Sequence, residues 1–131
     1  MKLIFLTFIF TISLFGSNWI EDYDEAVKIA QKENKRIYML IVSTDCGWCK
    51  KFEKTTLKDE KLLQRLSKQY VLLHLIREID DIPSKFKTTP IPSHYFLTNK
   101  GEVIFPVVGY RDVKTFNNFL DTVNERVKKD K

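Results

Sequence analysis

Cysteine occurs only twice in this chain of 131 residues, and glycine and proline four times each. Two cysteines cannot build the set of bridges that staples many small secreted domains. So little glycine and proline excludes a collagen-like or low-complexity architecture. No apolar run reaches the ~20 residues that a membrane-spanning helix needs. Charge of neither sign dominates, with 22 Lys and Arg against 17 Asp and Glu. The lysines are scattered rather than interleaved with aromatics on one element, so no nucleic-acid footprint is expected. With 44% hydrophobic and 30% charged residues, the composition is that of a folded globular protein and not of a disordered one. There is no internal repeat and no linker, so one domain is expected.

The first residues also lack acid: none occurs before Glu21. Met1-Lys2 gives a short positive start, Leu3 to Phe15 is apolar apart from Thr7, Thr11 and Ser13, and Gly16-Ser17 is a small-residue pair. This order of charge, apolar core and small residues is that of a secretory signal peptide. Residues 1–16 are therefore expected to be removed, leaving 17–131 as an exported, periplasmic or otherwise extracytoplasmic domain without a stable membrane span; an uncleaved N-terminal anchor is the alternative. No cysteine sits at the junction, so a lipid-modified start is not indicated.

Periodicity orders the rest of the chain. Ile20, Tyr23, Ala26, Val27 and Ala30 have helical spacing, with Asn34 as the stop. Ile37 to Val42 is a nearly continuous apolar run, the pattern of a central strand buried on both faces. A helical stretch from Cys46 toward Leu57 follows, with Phe52 as its anchor. Asp59 is placed to cap a further helix bearing Leu62, Leu63 and Leu66. Tyr70 to Ile76 reads as a strand and Glu78 to Lys87 as connecting loop. His94–Leu97 and Glu102–Val108, joined by Asn99-Lys100-Gly101, read as a hairpin. Asp112 caps a last helix that turns Val113, Phe116, Phe119, Leu120 and Val123 inward, and Val127 to Lys131 reads as a frayed basic end. Strands alternating with helices and closed by a hairpin predict an α/β fold with a mixed central sheet, partly parallel, flanked by helices.

Cys46 and Cys49 span two intervening residues, and a bridge closing so small a loop stabilises little by chain entropy. The pair is better explained by chemistry. Cys46 follows a buried-type strand and opens a helix, where unpaired amides and the helix dipole favour thiolate over thiol. Cys46 is then the exposed attacking sulfur, and Cys49, three residues on, the inner sulfur that resolves a mixed disulfide. Gly47 keeps the approach open and Trp48 offers a flat apolar surface. Lys50 and Lys51 read as solvated charges. Disulfide exchange needs no cofactor.

Cys46-Gly47-Trp48-Cys49 in this setting resembles the redox motif of the thioredoxin superfamily, and the resemblance extends over the whole mature chain. Cys49-Lys50-Lys51-Phe52-Glu53-Lys54-Thr55-Thr56 is similar to a segment of the C-terminal thioredoxin domain of the membrane thiol:disulfide interchange reductase. Ile91-Pro92-Ser93 resembles the family's cis-proline loop, with Pro90 a competing candidate. Val108-Gly109-Tyr110-Arg111-Asp112 resembles the family's last turn. The resemblance implies a thioredoxin-like fold, with Pro92 supporting the site and Ile91 facing the substrate backbone. It implies protein disulfides as substrates and a membrane thiol:disulfide reductase as electron donor, with reduction as the favoured direction. The family's buried acid, six positions before the first cysteine, is replaced here by Leu40, and Glu53 is the candidate substitute.

Two other functions remain open from the sequence. One is a non-catalytic binding or chaperone module on the same fold. The other is a metal site in which His74 or His94 joins the two thiolates, although no metal is expected. Haem attachment of the usual kind is excluded because Lys50, not histidine, follows Cys49.

Overall fold

The computed structural model describes residues 18–130. The segment read as a signal peptide, 1–16, lies outside the described residues. The elements run α1 (Tyr23–Glu33), β1 (Arg36–Val42), α2 (Gly47–Lys54), a 3₁₀ turn (Thr56–Lys58), α3 (Glu60–Gln69), β2 (Tyr70–Ile76), a second 3₁₀ turn (Ser84–Phe86), β3 (Ser93–Leu97), β4 (Val103–Val108) and α4 (Val113–Lys129). The sheet order is β2-β1-β3-β4. β1 pairs with β2 in parallel and with β3 antiparallel, and β3–β4 is the antiparallel hairpin. This is the mixed α/β sheet expected from the order of the apolar runs. Among the described residues no helix is long and apolar enough to cross a membrane.

Alternation along β1 sorts the core into two layers. Tyr38, Leu40 and Val42 face the layer that contains Cys49, Phe52, Leu62, Leu66, Phe116, Leu120 and Val123. Ile37, Met39 and Ile41 face the opposite layer, with Ala26, Ala30, Leu73 and Phe86. Because successive side chains on a strand point to opposite faces, a strand covered on both sides must be apolar throughout. That is why β1 reads as a continuous run, and it places the cysteines at the end of the strand paired on both edges.

Short polar side chains close the helices. Asp22, Asp59 and Asp112 each accept a backbone N–H three residues on, at 2.8 Å in all three cases, which satisfies one orphan donor apiece. Asn34 ends α1 in the left-handed region at φ 51°.

The structure departs from the sequence expectations in four places. Ile20 is not helical: its N–H donates to Leu72 O at 2.8 Å and its carbonyl accepts from His74 N at 2.9 Å, a bridge on the outer edge of β2. The Asp22 cap starts the helix only at Tyr23. The helix after the cysteines stops at Lys54, where Thr55 turns its hydroxyl back onto Lys51 O, and a 3₁₀ turn buries Leu57. The connection after β2 is not purely solvated, since Ile82 and Phe86 enter the α1 layer. Finally, α4 continues to Lys129, so Val127 to Lys129 are helix rather than a frayed end.

Candidate active site

Cys46 is the N-cap of α2, in extended conformation (φ −135°, ψ 103°). Its Sγ accepts the Cys49 N–H at 3.1 Å, so the sulfur occupies the position usually taken by a capping oxygen. The two cysteines form a disulfide with their Cα atoms 5.3 Å apart. Cys46 is half-buried, whereas Cys49 is only 1% exposed. When the bond opens, the helix amides and dipole therefore act first on Cys46. Among the described residues no atom lies within 4 Å of where a Cβ at Gly47 would sit, so the space beside the pair is open there.

Glu78, just beyond β2, fastens the turn that leads into Cys46. Its carboxylate accepts from the Ser43 hydroxyl and, at 3.1 Å, from the Thr44 N–H. The hydrogen bond from Ser43, followed by that from Thr44, holds its carboxyl below the usual range. Sequence reasoning passed over Glu78 as part of a connecting loop, and nothing local marks it, because its partners lie more than thirty residues away.

Trp48 is 59% exposed, yet its ring lies 5.9 Å from that of Tyr110. Lys51 places its ammonium 5.0 Å from the Trp48 ring and 4.8 Å from that of Tyr110. Lys51 is thus engaged by two aromatic faces instead of being simply solvated, a cation–π arrangement. Trp48 is partly packed and keeps a large apolar surface in water.

The peptide bond Ile91–Pro92 is cis, and that at Thr89–Pro90 is not. Pro92 is buried, Ile91 is half-buried, and Ile91 and Cys46 pack against the same core layer. The loop is tied in by Gly109 N–H to Pro92 O at 2.8 Å. On its other side, the Thr89 hydroxyl contacts Ser93 Oγ at 2.8 Å and Tyr95 OH at 2.7 Å.

Leu40 is fully buried on the Cys49 side of the sheet, flanked in register by His74 on β2 and His94 on β3. His94 is buried, with Nδ1 2.7 Å from the Tyr38 hydroxyl and Nε2 2.9 Å from Gly109 O. Since the carbonyl can only accept, Nε2 carries the proton and Tyr38 donates to Nδ1. Burial pushes His94 down to about 4, opposed by the Gly109 hydrogen bond and reinforced by Arg111. Burial, then the charge of Glu53, pushes the Tyr38 phenol well up. His74 instead meets Glu53, Nε2 to Oε1 at 2.5 Å. The hydrogen-bond partners of both histidines are thus groups other than the cysteines, and among the described residues no group of three His, Cys, Asp or Glu side chains is arranged to hold a metal ion.

Comparison with known proteins places this geometry. A family model described as a thioredoxin-like domain matches residues 23–124. Mouse (Mus musculus) anterior gradient protein 3 is 27% identical over 63 residues, 48% of this chain and 38% of its own length. The chain therefore spans less than two fifths of that curated relative. Among solved structures, a Bacteroides thetaiotaomicron protein assigned as a disulphide-isomerase superposes with TM-score 0.71 at 25% identity, covering 82% of this chain and 93% of its own. The C-terminal domain of Neisseria meningitidis DsbD, in oxidised form, superposes with TM-score 0.65 at 17% identity, covering 80% and 98%.

Proposed function

The chain belongs to the thioredoxin-like domain family, and from that premise we propose that it reduces disulfides of exported proteins through Cys46 and Cys49. As a thiol–disulfide oxidoreductase it acts on protein disulfides and exchanges electrons with redox partners. The observation that carries it is the inequality of the two sulfurs, one half-exposed at a helix N-terminus and the other buried behind it.

The Cys46 thiolate attacks one sulfur of the partner disulfide, and the other partner sulfur leaves as thiolate. The Cys49 thiolate then attacks Cys46 Sγ, the second partner sulfur leaves, and the Cys46–Cys49 bond closes. Two electrons pass from this dithiol to the partner. Ile91, beside Pro92, offers backbone to the bound segment, and the exposed Trp48 ring, between the two cysteines in sequence, offers it apolar surface. A membrane thiol:disulfide reductase returns the pair to the dithiol. Residues 1–16 direct the chain out of the cytoplasm and are cleaved. The reductive direction rests on the similarity of Cys49–Thr56 to the segment of the interchange reductase.

The test is the reduction potential of the pair in a thiol redox buffer, with free thiols trapped. A value near about −270 mV supports a reductant, and one near about −120 mV would make the chain a donor of disulfides instead. A pair with no reversible two-electron equilibrium would refute the oxidoreductase reading and favour a binding module.

A further inference from the structure

Arg36 opens β1, whereas the cysteines follow its last residue, so roughly 20 Å of strand separates the two at ~3.3 Å per residue. At the Arg36 end a cleft of about 950 Å³ opens between the ends of α3 and α4 and the start of β4. That is the upper end of the range of about 300–1,000 Å³ found for ligand cavities. A second cavity of about 360 Å³ adjoins it, with Arg36, Gln69 and Val127 common to both.

Five Lys and Arg side chains line the larger cleft, against the two acids Glu102 and Asp130. Among the described residues none of the five forms an ion pair with either acid. Lys35 meets Glu33 at 3.6 Å, outside the lining. Arg126 lies over the Phe105 ring and gives Nη1–H to Ile104 O at 3.4 Å. Lys68 and Lys129 are exposed. The positive charge of the cleft is thus left without a counterpart inside it.

The floor is short of hydrogen-bond partners as well. Arg36 is half-buried, donates from Nη2 to Asn124 Oδ1 at 2.8 Å, and stands 4.9 Å from the centroid of the Tyr70 ring. Its Nη1 is buried with no acceptor among the described residues, and Gln69 Oε1 is buried with no donor. Buried polar groups are ordinarily satisfied. Both residues line the cleft, so a rotation of either side chain toward an occupant gives the orphan atom its partner. One orphan is an N–H and the other a C=O, so the occupant has to bring an acceptor and a donor. An inorganic anion brings mainly acceptors and leaves most of this volume empty. A peptide brings both groups along its backbone, and acidic side chains answer the surplus of positive charge.

We propose that this cleft binds an acidic, extended segment of a partner protein, with a carboxylate on the Arg36 guanidinium and a backbone N–H on Gln69 Oε1. Lys68 and Lys129 draw the segment in from water. Since Cys46 lies at the other end of the sheet, a partner docked here leaves the cysteines open to exchange.

The test titrates a short fluorescein-labelled peptide of alternating glutamate and alanine with the full chain and follows its anisotropy at about 0.15 M salt. Expected is saturable binding, weakened on the order of 10-fold in R36M and about 3-fold in the double variant K68Q, K129Q. The counterpart with glutamine in place of glutamate binds on the order of 10-fold more weakly or worse. Reduction of glutathione disulfide is unchanged in every variant. Equal binding by wild type and both variants, or equal binding of the two peptides, would overturn the proposal. Inorganic phosphate that competes as tightly as the peptide binds would make this a small-anion site and overturn the peptide assignment. Exchange rates that fall together with binding would overturn the separation of the two sites. The double variant, at exposed positions, carries the test should R36M misfold.

Discussion

Acid should weaken this fold through His94, by an amount that follows from where the ring sits. The imidazole is buried, takes the Tyr38 proton donor on Nδ1 and gives Nε2–H to Gly109 O. It is therefore neutral in the folded chain, with a pKa pushed from 6.5 to about 4. The unfolded chain binds this proton more readily, so stability falls as pH falls. The contribution is complete above 6.5, declines between 6.5 and about 4, and is lost below. A gap of that width, at about 1.4 kcal/mol per unit, amounts to about 3 kcal/mol. With an m-value of about 1.5 kcal/mol/M, the urea midpoint moves by about 2 M. The assay is urea unfolding of the oxidised protein at neutral pH and near pH 4, for wild type and His94→Phe. The substitution lowers stability at neutral pH, since the Tyr38 hydroxyl and Gly109 carbonyl lose their partner, but it removes the His94 part of the pH dependence. Glu78 and Asp112, whose carboxyls are both held low by hydrogen bonds, contribute acid sensitivity to both proteins and cancel in the comparison. Equal losses in wild type and His94→Phe between the two pH values would refute the reasoning.

Phe52→Ala should destabilise by about 3–5 kcal/mol, because the ring is fully buried against His94 and Phe116; a urea midpoint shifted by less than that expected for an exposed site would contradict the packing. Gly101→Ala should cost about 1–3 kcal/mol, since φ is +82° and an added Cβ would run into the Tyr23 hydroxyl, and a thermal melt unchanged from wild type would count against this turn. Asp59→Ala should cost about 1 kcal/mol by freeing the Leu62 N–H, while Asp59→Asn, which retains an acceptor, should recover most of it in the same melt.

What could be read from the sequence was whatever depends on local spacing. Ile37 to Val42 announces a strand covered on both faces, and Asp59 and Asp112 announce helix starts, because each rule involves neighbours within one turn or one strand. Cys46 and Cys49 were legible for the same reason. Ile82 and Phe86 were hidden, since they stand alone among Asp80, Asp81, Ser84, Lys85 and Lys87 with no period to betray them. Ile20 was misassigned because its spacing suits a helix while its backbone answers to β2. The pairs Glu53–His74 and Tyr38–His94 depend on sheet register and on the docking of α2 over 21 and 56 residues of chain, which no local pattern encodes. The Lys51 sandwich needs Tyr110 brought back from beyond β4.

The bridge at Ile20 also makes the two margins of the sheet unequal. Every open sheet leaves two rows of backbone donors and acceptors that can recruit a strand from another chain. On the β2 margin, Ile20 already occupies Leu72 O and His74 N. Among the described residues the β4 margin has no such cover, and it presents Val103 and Val108, nearly half-exposed. Pro106 lies within that strand and offers no N–H. Misassociation between copies is thereby guarded against by a strap on one margin and by a missing hydrogen on the other. Loss of Pro106 would open to neighbouring chains a route that the fold at present keeps interrupted.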